Sequence, residues 1–162
     1  MPLRLALLAL VVLLAPGCAG LAEALDEAFP SYDGGDVSAV TLLAVPPSKP
    51  DGSAWDLSGP ADPKVVIRSE AGAVLYDGGT AANAVPSRYP LPWAVSGVRA
   101  GMGDVLWVEV YDDDVAEDDL VARWRVRLGD VGGLVKPATF PLLGPGGQPM
   151  AEVGVRWIEA AE

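Results

Sequence analysis

No histidine occurs anywhere in the 162 residues, and there is a single cysteine. Histidine-based acid–base catalysis, zinc sites of the Cys/His kind, internal disulfides and, beyond that cysteine's leader context, thiol catalysis are therefore excluded. Basic side chains are also scarce, with 11 Lys and Arg against 22 Asp and Glu and a net charge of −11. A chain of that sign is a poor ligand for nucleic acid, and it would not adhere unaided to an anionic lipid surface. Long helical repeats are missing too, while 19 glycines and 15 prolines punctuate short apolar stretches. That distribution favours strands joined by turns over a helical bundle.

The chain starts Met1-Pro2-Leu3-Arg4, continues as an apolar run from Leu5 to Ala15 and closes with Pro16-Gly17-Cys18. The run is too short to span a bilayer comfortably and reads as a secretory signal. Leu13-Leu14-Ala15-Pro16-Gly17-Cys18 resembles the lipobox of bacterial lipoproteins, with Ala15 where leucine is more usual. The resemblance implies cleavage before Cys18 and lipid on its thiol, the alternative being a plain secretory peptide with an incidental cysteine. Lipidation would hold the protein on a membrane surface without a transmembrane helix. Ala19 is not the aspartate associated with inner-membrane retention, so the expected location is extracytoplasmic and, in a cell with two membranes, the outer membrane. Removing residues 1–17 takes away Arg4 and no acid, leaving 10 basic and 22 acidic side chains, a net charge of −12.

The expected organisation is a signal over 1–17, a lipidated N-terminus and linker over 18–35, and one β-sandwich over 36–160. About 125 residues support one core, not two. Val37–Val45 is apolar on both faces, as a central strand requires. Lys64–Ser69 and Ala73–Asp77 form a pair, and Pro90 and Pro92 mark Tyr89–Val95 as an edge or irregular strand. Val98–Gly103 leads into the next hairpin, and Thr139–Leu143 and Met150–Ile158 close the series. The fold class is all-β, an eight-stranded antiparallel sandwich.

The most informative stretch is Asp104–Arg127. Leu106, Val108 and Val110 point one way, and Val105, Trp107, Glu109 and Tyr111 the other. Ala122, Trp124, Val126 and Leu128 resume the pattern, with Arg123, Arg125 and Arg127 opposite. A register that keeps the apolar faces together sets Glu109 against Arg123 and Trp107 against Arg125, an ion pair and a cation–π contact. Between the strands stand Asp112, Asp113, Asp114, Glu117, Asp118 and Asp119. Six carboxylates so close together are either fully solvated or neutralised by a cation. A second acidic loop, with Asp56 and Asp62-Pro63, lies between the first two strands. Hard oxygen donors without nitrogen or sulfur favour calcium over zinc or copper, and irregular geometry disfavours magnesium. Asp112-x-Asp114 is followed by Ala116 and lacks the glycine of an EF-hand loop.

These landmarks, taken in order, resemble the C2-domain family of calcium-dependent membrane-targeting modules. Asp56 and Asp62-Pro63 resemble its first calcium loop, and Thr80-x-x-Asn83 its turn before the middle strand, with Ala84 where proline is usual. Val108-Glu109-Val110-Tyr111-Asp112-Asp113-Asp114 resembles the strand into its third loop, and Asp119-Leu120-Val121-Ala122 the exit, with Ala122 for the usual glycine. The resemblance covers roughly Asp36 to Glu159, with the phospholipase-type strand order. It implies calcium held by Asp56, Asp62, Asp112, Asp114 and Asp119, with Asp118 as a substitute for Asp119. It also implies a phospholipid membrane as partner, with Trp55, Leu57 and Val115 at the interface. Trp55 is equally suited to covering the base of its loop. Solvated loops with an envelope protein as partner are the alternative, and nothing in the sequence marks a nucleophile or a second catalytic group.

Overall fold

The computed structural model describes residues 29–55, 59–114 and 118–161. Cys18, Asp56, Leu57 and Val115 lie outside the described residues. Eight strands account for the fold: β1 Tyr32–Leu42, β2 Pro63–Ser69, β3 Val74–Thr80, β4 Leu91–Gly101, β5 Val105–Asp112, β6 Asp119–Arg127, β7 Thr139–Leu143 and β8 Pro149–Glu159. They form two four-stranded sheets, ordered β4-β1-β8-β7 and β3-β2-β5-β6, with every pairing antiparallel. Among the described residues the helical elements are two single turns, Pro86–Arg88 and Leu128–Asp130, and no helix is long and apolar enough to cross a membrane.

Alternation of side chains explains the core. Val40 and Leu42 from β1, Val65 and Ile67 from β2, and Leu106, Val108 and Val110 from β5 meet between the sheets with Trp93, Val126 and Val153. Each fully buried aliphatic side chain stabilises the fold by roughly 1.5–3 kcal/mol. The opposite face of β5 carries Trp107, Glu109 and Tyr111, as the hairpin pattern requires. Trp124 and Trp157 pack on the rim of the core and donate their indole N–H groups to the carbonyls of Leu143 and Pro137, each at 2.8 Å.

β1 is central and β4, with Pro92, is an edge strand, as the sequence leads one to expect. Several boundaries differ: β1 stops at Leu42, short of Val45, β3 runs beyond Asp77 to Thr80, and two differences are larger. Residues 32–35 belong to β1 instead of a linker, and the two segments around Ser96-Gly97 are one strand, β4. In the second case the register jumps from Val37↔Val98 to Ala39↔Ala94, so extra residues of β4 bulge out opposite Ser38. Gly97, at φ +77°, supplies the left-handed backbone of that bulge and breaks the period that would mark a continuous strand.

Candidate functional site

Up to Val110 the hairpin register is the expected one, with Trp107 facing Arg125 and Glu109 facing Arg123; beyond it the register slips by one residue and sets Asp112 against Asp119. Glu109, 1% exposed, is gripped from both neighbouring strands. Arg123 reaches its Oε1 at 2.6 Å, Arg68 of β2 reaches Oε2 at 2.9 Å, and the Tyr111 hydroxyl donates to Oε2 at 2.8 Å. Burial alone would raise the carboxyl pKa, but the hydrogen bonds from Tyr111, Arg68 and Arg123 outweigh it and hold the group below its ordinary range. The cation over the Trp107 ring is Arg123, 5.5 Å from the centroid, and not the directly opposed Arg125. Being drawn towards Glu109 carries the Arg123 guanidinium across the indole, while Arg125 turns to Glu70 at 3.8 Å.

At the end of the same sheet, the loops after β1 and β5 come together. Pro63 pairs with Asp112 across β2 and β5, and the backbone N–H of Asp62 donates to Asp112 Oδ1 at 2.6 Å. The other oxygen, Asp112 Oδ2, is buried and has no hydrogen-bond partner among the described residues. Asp112 is 0% exposed. Its pKa is raised, first by burial and then by the neighbouring Asp114 and Asp62 carboxylates, against the backbone bond from Asp62. Asp62 Oδ1 in turn accepts the backbone N–H of Asn83, whose φ of +52° lies in the left-handed region that asparagine tolerates.

Two lysines that sequence reasoning passed over neutralise this rim. Lys64, on β2, contacts Asp113 at 2.9 Å and Asp118 at 2.7 Å, and these two carboxylates raise its pKa. Asp113 also accepts the Thr80 hydroxyl. Lys49, in the loop after β1, donates to Asp119 and sits in the field of Asp114 and Asp112. The signal available in the sequence was their rarity: three lysines in the chain, two of them flanking the first acidic loop. Asp62, Asp112, Asp114, Asp118 and Asp119 thus share one rim, yet among the described residues no three acidic side chains form a ready-made metal cage. The buried, partnerless Asp112 oxygen amid like charges is nevertheless chemistry suited to a hard cation.

Trp55 is not at a tip. It is 7% exposed, its indole N–H donates to the Pro46 carbonyl at 2.7 Å, and it covers the loop base, so the interfacial placement does not hold in this structure. Beside it a cleft of about 100 Å³ is lined by Val45, Pro46, Trp55, Pro60, Ala84 and Tyr89.

No protein-family model matches the sequence, and no curated protein sequence matches it. Solved structures do resemble the fold. A human GIVD cytosolic phospholipase A2 aligns with 82% of this chain at 18% identity and a TM-score of 0.52, and the chain spans 17% of that enzyme's length. A structure described as a C2 domain aligns over 80% of this chain and all of its own length, at 16% identity and a TM-score of 0.49. A C2 domain protein from Ramazzottius varieornatus aligns over 82% of this chain and 94% of its own, at 15% identity and a TM-score of 0.45. Two four-stranded antiparallel sheets, opening on the strand before the first acidic loop and closing on β8, give this chain an all-β sandwich of the C2 fold.

Proposed function

We propose that this chain is a membrane-anchored, non-enzymatic C2-like module that binds Ca2+ at the rim where its first and third loops meet. The observation that carries this reading is Asp112: a fully buried carboxylate, one oxygen held by the Asp62 N–H, the other without a partner among the described residues. Asp62, Asp112, Asp114 and Asp119, with Asp118 as a substitute and Asp56 from outside the described residues, would hold the ion. Bound calcium would neutralise the rim and offer a positive surface to phospholipid headgroups. Outside the cytosol, where the Cys18 anchor would place the protein, even a site with a dissociation constant on the order of 0.1–1 mM stays filled.

One observation favours a second reading. Lys49 and Lys64 already balance Asp113, Asp118 and Asp119, which suits a calcium-independent sandwich whose partner is another envelope protein. Calorimetric calcium titration of the protein beside the Asp62→Asn, Asp112→Asn double variant separates the two. Saturable heat in the parent and none in the variant is expected. At a tenfold excess of calcium over its dissociation constant, linkage stabilises the fold by about 1.4 kcal/mol, a melting shift of roughly 3–6 °C. An unchanged melting temperature and no heat in the parent would favour the envelope-protein reading.

A further inference from the structure

We propose that Lys49 is a tethered competitor for the divalent ion: its ammonium serves the acidic rim in the metal-free protein and must swing out before calcium can bind. The inference rests on the calcium reading above and adds the residue that sets the threshold. Asp112 and Asp119 are directly opposed where β5 and β6 part. Like charges at such a pair repel, and a cation between them removes the penalty. Lys49 is placed to be that cation. It donates to Asp119 Oδ2, and its ammonium lies 5.8 Å from the centroid of the Trp55 ring, a cation–π contact.

The loop is built to hold the lysine there. Lys49 N–H donates to the Ser53 carbonyl and Gly52 N–H to the Lys49 carbonyl, both at 2.9 Å, closing a tight turn. Asp51 Oδ1 braces it by accepting from the Ser53 N–H at 2.9 Å and hydroxyl at 2.7 Å. The Trp55 ring is fixed in turn by its bond to Pro46.

Lys64 differs in kind. Its backbone is part of β2, paired on both sides, and its partners are Asp113 and Asp118, on the flank of the rim away from Asp112. Lys49 comes from a loop, and its partner Asp119 is a candidate ligand. The two cations therefore divide the work: Lys64 stays in place, while Lys49 yields to an ion of higher charge that satisfies Asp112, Asp114 and Asp119 together. Calcium affinity is consequently weakened by whatever the lysine contact is worth. Removing the ammonium should strengthen calcium binding and weaken the metal-free fold, two opposite effects from one substitution.

The test uses the full-length chain in detergent, with calcium chloride as the probe. Lys49→Met keeps the aliphatic stem and removes the charge, Lys49→Arg keeps a charge, and Lys136→Met removes a charge at the other end of the sandwich. Calcium titration should show roughly two- to fivefold tighter binding in Lys49→Met, with Lys49→Arg and Lys136→Met close to the parent. Thermal melts in chelator should show Lys49→Met below the parent. Heat in Lys49→Met but none in the parent would support the competitor in its strongest form. Equal or weaker calcium binding in Lys49→Met than in a parent that does bind overturns the competitor and leaves the metal site standing. Absence of heat in every variant overturns the calcium reading and this inference with it.

Discussion

Glu109 shows how far a single position can be read from pattern. Alternation along β5 places it on the outer face and the register sets it against Arg123, and both hold in the structure. What the sequence could not supply was Arg68, brought in from β2, whose pairing with β5 is a long-range choice. With three charged or polar donors on one buried carboxylate, Glu109→Gln should destabilise the domain by about 2 kcal/mol at neutral pH. The pH dependence follows from the lowered pKa. A depressed carboxyl stabilises the fold above its ordinary value of 4.5 and loses that contribution as pH falls through the folded-state value. Urea unfolding of parent and variant from pH 7 down to pH 3 should therefore show the gap closing in the acid range. A constant gap would mean that Glu109 acts through packing alone. Asp112 has the opposite sign, since burial raises its pKa. Asp112→Asn should leave the metal-free melting temperature equal to the parent's or a few degrees above it, while abolishing any calcium-induced shift. A marked fall in chelator would show that the carboxylate is structural.

Among the elements, strands with clean alternation were legible and those with glycine were not. Thr139–Leu143 is β7 to the residue, and the β5–β6 register follows from its apolar faces. Asp33-Gly34-Gly35-Asp36, by contrast, reads locally as a flexible tether, because glycine carries no hydrophobic signal and favours turns. Its real constraint is tertiary. β1 runs between β4 and β8, and a Cβ on Gly34 would collide with the Ala100 carbonyl oxygen on β4, a backbone atom that cannot turn aside. Gly34→Ala should accordingly cost about 1–3 kcal/mol through overpacking. Gly103, whose added Cβ would meet open space, is the matched control, and Gly103→Ala should stay within about 0.5 kcal/mol of the parent. Denaturant midpoints of the two variants decide the matter. Equal midpoints would show that the start of β1 contributes little to the sheet.

The whole molecule has two poles, and the chain comes in at the one away from the acidic rim. Tyr32 pairs with Glu159, and Ala160 N–H donates to the Ser31 carbonyl at 3.0 Å, so the start of β1 and the end of β8 share one end. The 11 residues of β1, at roughly 3.3 Å each, put about 35 Å between that end and the loop that follows Leu42. On the proposed anchoring through Cys18, the lipid would lie on the side of that shared end and the acidic pole on the other, so that calcium bound at the rim would engage a second surface more readily than the first. Full-length protein anchored in vesicles containing anionic phospholipid should cluster them when calcium is added, seen as a rise in turbidity that chelator reverses. Clustering should disappear in the Asp62→Asn, Asp112→Asn variant, whose anchor is intact. If calcium binds the anchored protein with no rise in turbidity, the rim does not reach a second membrane, and its contact is with the anchoring surface or with a protein.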